Sequence, residues 1–129
     1  MMTGIHVDPR DRRPIYEQLI SGIRDLVLRG AMGPDEQVPS VRALAAELGI
    51  NPNTIQKAYT ELERQGVIYS TPGRGSFVCP DPAAMRQAER AKRLSILWAE
   101  LREANRVGFS RAEVEKILDE IWRDEHDPN

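Results

Sequence analysis

A short polar segment holds the side chains in this sequence that are best suited to chemical recognition. The amides of Asn and Gln can form paired hydrogen bonds with the edge of adenine, and Lys can reach guanine or a phosphate. The polar residues of this segment are Asn51, Asn53, Thr54, Gln56 and Lys57. Apolar residues at helical spacing lie between and after them, at Ile55, Ala58, Tyr59 and Leu62. The pattern predicts a helix that buries one face and offers the other either to solvent or to the major groove of DNA.

Two arginines place positive charge on either side of this segment. Arg42 follows Ser40, a predicted N-cap, by two residues; its guanidinium can clamp a phosphate or a guanine, and the alternative is a surface salt bridge of little energetic value. Arg74 lies between Gly73 and Gly75, which let the backbone approach a duplex closely, and a narrow minor groove attracts Arg. The alternative is a plain turn with an exposed cation. A phosphate-binding glycine loop is disfavoured, because such a loop precedes a helix and this one precedes a β-prone segment.

Helix start and stop signals place the polar segment in a helix-turn-helix. A first helix opens at Pro14 and ends at Gly30. A second helix is capped by Ser40 and ends at Gly49. The third begins at Asn51 as N-cap, with a proline at its first helical position. Because a tight turn at Gly49 joins the second and third helices, the third is the predicted recognition helix.

A hairpin and a helical tail follow. Residues 67–71 and 76–79 are β-prone and predict a wing directly after the recognition helix. We therefore predict a winged helix-turn-helix domain over residues 1–80 and a helical dimerisation tail over 81–129. The tail holds two amphipathic helices, and Ser110–Glu113 has capping-box form at the start of the second. The predicted dimer interface is its apolar stripe, namely Leu94, Leu97, Trp98, Leu101, Val114, Ile117, Leu118, Ile121 and Trp122.

Composition limits the classes of function. The net charge of the 129 residues is -2, yet residues 1–80 carry nine basic and nine acidic side chains, so the acidic excess lies in the tail. Cys79 is the only cysteine, which excludes an internal disulfide and disfavours a zinc site. We expect a cytoplasmic chain, since it has no apolar run of about 20 residues and no signal-peptide core. The sequence shows no catalytic grouping, and no metal or cofactor is predicted.

Four motifs resemble those of a known family, in matching order. Pro39–Ala45 resembles the Pro-Ser-x-Arg-x-Leu-Ala signature of the GntR family of bacterial regulators. Residues 14–18 are similar to that family's opening helix, 53–59 to its recognition helix and 73–78 to its wing. The short tail resembles that of the YtrA-type subfamily, in which it mainly dimerises. In some relatives a DNA-contacting arginine follows the cap of the turn. Here that position is Pro52, so their operator cannot be transferred to this chain.

The motifs and the resemblance predict an α+β, mostly α fold, with a winged helix-turn-helix domain and a C-terminal two-helix dimerisation hairpin. The implied function is a transcription repressor that binds a palindromic double-stranded DNA operator as a homodimer, with room for a small-molecule effector at the dimer interface. The predicted DNA-binding residues are Ser40, Arg42, Asn51, Asn53, Thr54, Gln56, Lys57, Gly73, Arg74 and Gly75. The alternative, slightly favoured by the acidic balance, is a protein-interaction module without specific DNA binding. A small enzyme would need a polar cluster around a pocket, which the sequence does not show.

Overall fold

The computed structural model describes residues 4–126, which form five helices and one two-stranded sheet. The elements are α1 (Ile15–Leu28), α2 (Val41–Leu48), α3 (Pro52–Arg64), β1 (Ile68–Thr71), β2 (Gly75–Val78), α4 (Pro82–Arg106) and α5 (Arg111–His126). The predicted fold class, mostly helical with a small wing, is confirmed. The chain divides into two compact units, one ending at Gln87 and the other beginning at Ala88, so the division falls within α4.

The two helices of the helix-turn-helix begin at the predicted caps. The Ser40 Oγ accepts a hydrogen bond from the Ala43 N–H at 3.0 Å at the start of α2. The Asn51 Oδ1 accepts one from the Asn53 N–H at 2.8 Å at the start of α3. Gly49 ends α2 in the left-handed region, with φ of 66°, which lets the chain reverse within a few residues.

The core of the first unit is built around the apolar face of α3. Its four buried positions are Ile55, Ala58, Tyr59 and Leu62. They pack with fully buried side chains from the rest of this unit, including Leu19, Ile23, Val27, Leu44, Val67 and Val78. Burying each of the large aliphatic side chains stabilises the fold by about 1.5–3 kcal/mol. The orientation of α3 is therefore fixed by helix α1 on one side and by α2 and β1 on others.

The wing has three backbone segments rather than two. In the β1–β2 hairpin, Ile68 lies opposite Val78 and Thr71 lies opposite Gly75. The segment before α2 adds to the other edge of β2. There the Val38 N–H donates to the Ser76 carbonyl at 2.9 Å and the Val78 N–H donates to the Glu36 carbonyl at 2.8 Å. The wing is thus hydrogen-bonded to the chain that leads into the helix-turn-helix.

The second unit begins within α4 and continues through α5. The predicted capping box is confirmed: the Glu113 N–H donates to the Ser110 Oγ at 3.1 Å and the Ser110 N–H donates to the Glu113 Oε1 at 3.0 Å. The predicted dimer residues are exposed except for the half-buried Val114. Of the helices that the structure describes, none is long and apolar enough to cross a membrane.

A buried glutamine ties the N-terminal arm to α1. Gln18 is 5% exposed. Its Oε1 accepts from the Asp8 N–H at 2.8 Å, and its Nε2 donates to the carbonyls of Asp8 at 3.1 Å and Arg13 at 3.0 Å. These three bonds hold the arm against the helix and place Ile5 in the core.

Replacing Gln18 by Leu should lower the free energy of unfolding by about 1–3 kcal/mol, because the apolar side chain leaves three backbone groups without this partner. Urea unfolding at a fixed protein concentration measures the change. Gln87→Leu, at an exposed position of α4, is the matched control and should change stability little. Equal stability of the Gln18→Leu protein and the control would show that the arm is held by other contacts.

Candidate nucleic-acid interface

The polar face of α3 is open to solvent at its N-terminal half. Asn51, Asn53, Gln56 and Lys57 are exposed, whereas Thr54 is half-buried. The buried face lies on the opposite side, as the sequence pattern predicts. A helix of this kind can present its first turns to the floor of a major groove.

The hydrogen bonds within α3 distinguish among its amides. The Oδ1 of Asn51 already accepts the Asn53 N–H, so pairing both amide atoms of Asn51 with adenine would cost the helix cap. The Gln56 Nε2 makes only a long local contact, at 3.3 Å, with the Thr60 Oγ1. Asn53 and Gln56 are therefore better placed than Asn51 for two-point recognition of a base.

Lys57 lies over an aromatic ring of α1. Its Nζ is 4.1 Å from the centroid of the half-buried Tyr16 ring. A cation at this distance is attracted to the face of the ring, which favours the rotamers that hold the ammonium beside α1. This contact cannot be found from the sequence alone, because the two residues lie 41 positions apart and no motif links them.

Tyr59 joins the recognition helix to the segment before α2. Its side chain is buried, and its hydroxyl donates to the Pro39 carbonyl at 2.7 Å. Burial raises the pKa of Tyr59 far above its ordinary value, so the hydroxyl remains a donor at physiological pH. Ser40, which follows Pro39, caps α2. The hydrogen bond from Tyr59 to Pro39 therefore also fixes the start of α2 relative to α3.

The first unit is neutral overall but its charges are not evenly paired. Arg64 forms an ion pair with the carboxylate of Glu61. The hydrogen bonds from Arg64 and Gln65 lower the pKa of Glu61 to about 2. Residues 4–126 offer no such ion-pair partner to the cations Arg42, Lys57 and Arg74. All three are exposed. The candidate interface therefore keeps positive charge that neighbouring carboxylates do not neutralise.

The wing tip is a tight turn with two glycines in the left-handed region. The Arg74 N–H donates to the Thr71 carbonyl at 3.0 Å, and Gly73 has φ of 76°. Gly75 has φ of 117°, where a residue with a Cβ would be strained. The turn exposes Arg74 at the end of the hairpin.

Tyr69 of β1 connects the two strands of the wing with the segment before α2. Its ring stacks on Phe77 with centroids 5.6 Å apart, and its hydroxyl donates to the Asp35 Oδ1 at 2.8 Å. This hydrogen bond to a carboxylate raises the pKa of Tyr69. Asp35 has φ of 60°, a conformation that is uncommon for a residue other than glycine.

These elements define a winged helix-turn-helix protein, and comparison with known proteins identifies its family. Residues 15–78 match the family described as bacterial regulatory proteins, gntR family. The transcriptional repressor YtrA of Bacillus subtilis (strain 168) is 50% identical over 74 residues, which are 57% of this chain and 57% of that repressor. The chain thus spans little more than half the length of that relative. The chain belongs to the GntR family of bacterial regulators, and its similarity to YtrA confirms the predicted subfamily.

Two solved structures carry the comparison further. A transcriptional regulator from Oenococcus oeni has a TM-score of 0.74 at 32% identity, over 93% of this chain and 98% of that one. AraR(DBD) in complex with the operator ORX1 has a TM-score of 0.52 at 32% identity, over 57% of this chain and 92% of that one. The chain is a transcription regulator with a DNA-binding winged helix-turn-helix, as its sequence predicts.

The contact between Lys57 and Tyr16 predicts a difference between two substitutions of the tyrosine. Tyr16→Leu removes the ring that restricts the Lys57 side chain, so that more side-chain freedom is lost when Lys57 binds DNA. Operator binding should then weaken about two- to fivefold, which corresponds to the about 0.5–1 kcal/mol of an exposed cation–π contact. Tyr16→Phe keeps the ring face and should bind nearly as well as the parent protein. Fluorescence anisotropy with a labelled operator measures both affinities. Equal losses in the two variants would indicate that the hydroxyl, rather than the ring, is what DNA binding requires.

Proposed function

We propose that this protein is a sequence-specific transcription repressor that binds a palindromic operator as a homodimer. The observation that carries the proposal is that three exposed cations without ion pairs, Arg42, Lys57 and Arg74, lie on the helix-turn-helix and the wing. Other arginines of the same unit, Arg13, Arg29 and Arg64, are instead paired with nearby carboxylates. Counterion release from DNA makes such unpaired cations effective even on a domain of zero net charge.

The recognition helix enters the major groove. Asn53 and Gln56 provide the amides for base edges, and Lys57 provides charge for guanine or a phosphate. Asn51 and Ser40 hold their helix starts, where backbone N–H groups point toward a phosphate. Arg42 follows at the start of α2 and clamps the backbone beside them.

The wing enters the minor groove. Gly73 and Gly75 leave the tip without side chains on either side of Arg74, so the backbone can approach the sugar–phosphate rim. The guanidinium then extends into the groove, where narrow A·T-rich segments concentrate negative potential. Shape-dependent reading by Arg74 complements the hydrogen-bond reading by α3.

The tail makes the dimer. Trp98 and Trp122 are 57% and 58% exposed, and a stripe of large aliphatic side chains accompanies them on α4 and α5. A second copy of the chain would cover these faces and place two recognition helices about one helical turn apart on the operator. Aromatic residues are typical anchors of such interfaces.

Regulation of the dimer would act through the same tail. The apolar faces of α4 and α5 are open surfaces in one chain, so an effector would be enclosed only between two subunits. Within this proposal the protein acts by binding rather than by catalysis, and it acts where the chromosome is, in the cytoplasm.

Selection of random duplexes by the purified protein, followed by sequencing, should enrich a palindrome. Lys57→Ala and Arg74→Ala should each weaken binding to that palindrome, by about tenfold, and Lys57→Ala should lower the salt slope by about one. Lys116→Ala and Arg90→Ala, at exposed tail positions, are the matched controls. Failure to enrich any duplex at low and moderate salt would reject the repressor function and favour a protein-binding winged helix.

Charge placed on the tail stripe should separate the subunits. Leu97→Glu puts a carboxylate on the exposed apolar face of α4, which a dimer would have to bury, so sedimentation velocity should show a monomer. The monomer should bind a palindrome no more tightly than a single half-site. Gln87→Glu introduces the same residue at a polar position of α4 and should remain dimeric. A Leu97→Glu dimer would place the interface elsewhere.

A further inference from the structure

The side chain of Gln37 contacts the tip of the wing. Gln37 lies in the extended segment before α2 and forms an antiparallel bridge with Phe77 of β2. Its Nε2 donates a hydrogen bond to the backbone carbonyl of Arg74 at 3.0 Å. The bond spans 37 residues of sequence and joins the helix-turn-helix entry to the residue that carries the wing's positive charge.

The side chain of Gln37 lies so close to the wing tip that it limits the room for a side chain at position 75. A Cβ built on Gly75 would lie 2.9 Å from the Gln37 Nε2, which is too close without a shift of one of them. A side chain at position 75 would therefore have to push this amide aside, in addition to straining a backbone whose φ is 117°. Together the two residues fix the backbone on the C-terminal side of Arg74.

The same segment is anchored to the recognition helix at its other end. Pro39, two residues after Gln37, accepts the hydroxyl hydrogen bond of Tyr59 at 2.7 Å. Val38, between them, is buried and pairs with β2. This short segment thus makes one hydrogen bond with Tyr59 of α3 and another with Arg74 at the wing tip.

We propose that Gln37 is a positioning residue for DNA recognition by the wing. Its amide holds the Arg74 carbonyl and so sets the direction in which the Arg74 side chain leaves the hairpin, relative to the recognition helix. This inference rests on the proposed function, in which Arg74 enters the minor groove. The backbone hydrogen bonds of Val38 and Val78 hold the base of the hairpin, and the Gln37 amide adds a contact from outside the hairpin at its tip.

A double-mutant cycle tests the coupling between the two residues. Gln37→Met keeps the length and the neutral charge of the side chain but removes the donor. It should weaken binding of the selected operator about three- to tenfold in the parent protein, the range expected for one hydrogen bond. In the Arg74→Ala background the same substitution should change binding less than about twofold, because no guanidinium remains to be aimed.

The free protein provides a second readout. Backbone amide order parameters at Arg74 and Gly75 should fall in Gln37→Met, since the tip loses its outside anchor. Gln37→Asn retains the amide but is one methylene too short to reach the carbonyl, and it should behave like Gln37→Met. Gln87→Met, which makes the same chemical change on an exposed turn of α4, should leave affinity and order parameters unchanged.

The outcomes separate this inference from the function on which it rests. Equal losses of affinity from Gln37→Met in both backgrounds would mean that Gln37 acts on DNA independently of Arg74. No loss in either background would mean that the hydrogen bond is dispensable. Both results overturn the inference and leave the repressor function intact. If Arg74→Ala alone binds the operator like the parent, the minor-groove role of the wing fails and the inference fails with it. Coupled loss together with lower order parameters supports it.

Discussion

Burial of one face of α3 is the constraint on which the rest of the first unit depends. Ile55, Ala58, Tyr59 and Leu62 recur at helical spacing and are all buried, so the helix cannot rotate about its axis without exposing them. Their burial forces the intervening polar positions outward. The same four contacts therefore stabilise the domain and decide which side chains face a ligand.

Charge distribution, rather than net charge, fits this unit to a polyanion. Nine basic and nine acidic side chains cancel over residues 1–80. Some of the acids bind a nearby arginine, as in the pairs Arg13–Asp11 and Arg29–Asp25, and these charges neutralise each other locally. Because solvent and salt screen exposed charges beyond about 10 Å, a phosphate at the interface responds mainly to the unpaired cations near it. A chain with a net negative charge can in this way present a positively charged binding surface.

Local signals account for what the sequence could predict. Caps at Ser40, Asn51 and Ser110 depend on residues three or fewer positions apart, and helical periodicity depends on the neighbouring turn, so these features are visible without a structure. The helix-turn-helix, the wing and the amphipathic tail follow from them. The contacts that orient the candidate site are of another kind. Tyr16 with Lys57, and Gln37 with Arg74, join residues about forty positions apart whose pairing depends on how the elements pack.

The two units also differ in how their stability arises. The first unit closes a core within one chain, and each of its large aliphatic residues gains its burial energy on folding. The second displays Leu94, Leu97 and Leu101 beside Trp98 on an exposed face of α4, and a monomeric protein rarely leaves such a face in contact with water. The free energy available there is released only when something covers the face. In the proposed dimer a second copy of the chain covers this face, and the same apolar contact that stabilises the tail would bring two recognition helices to one stretch of DNA.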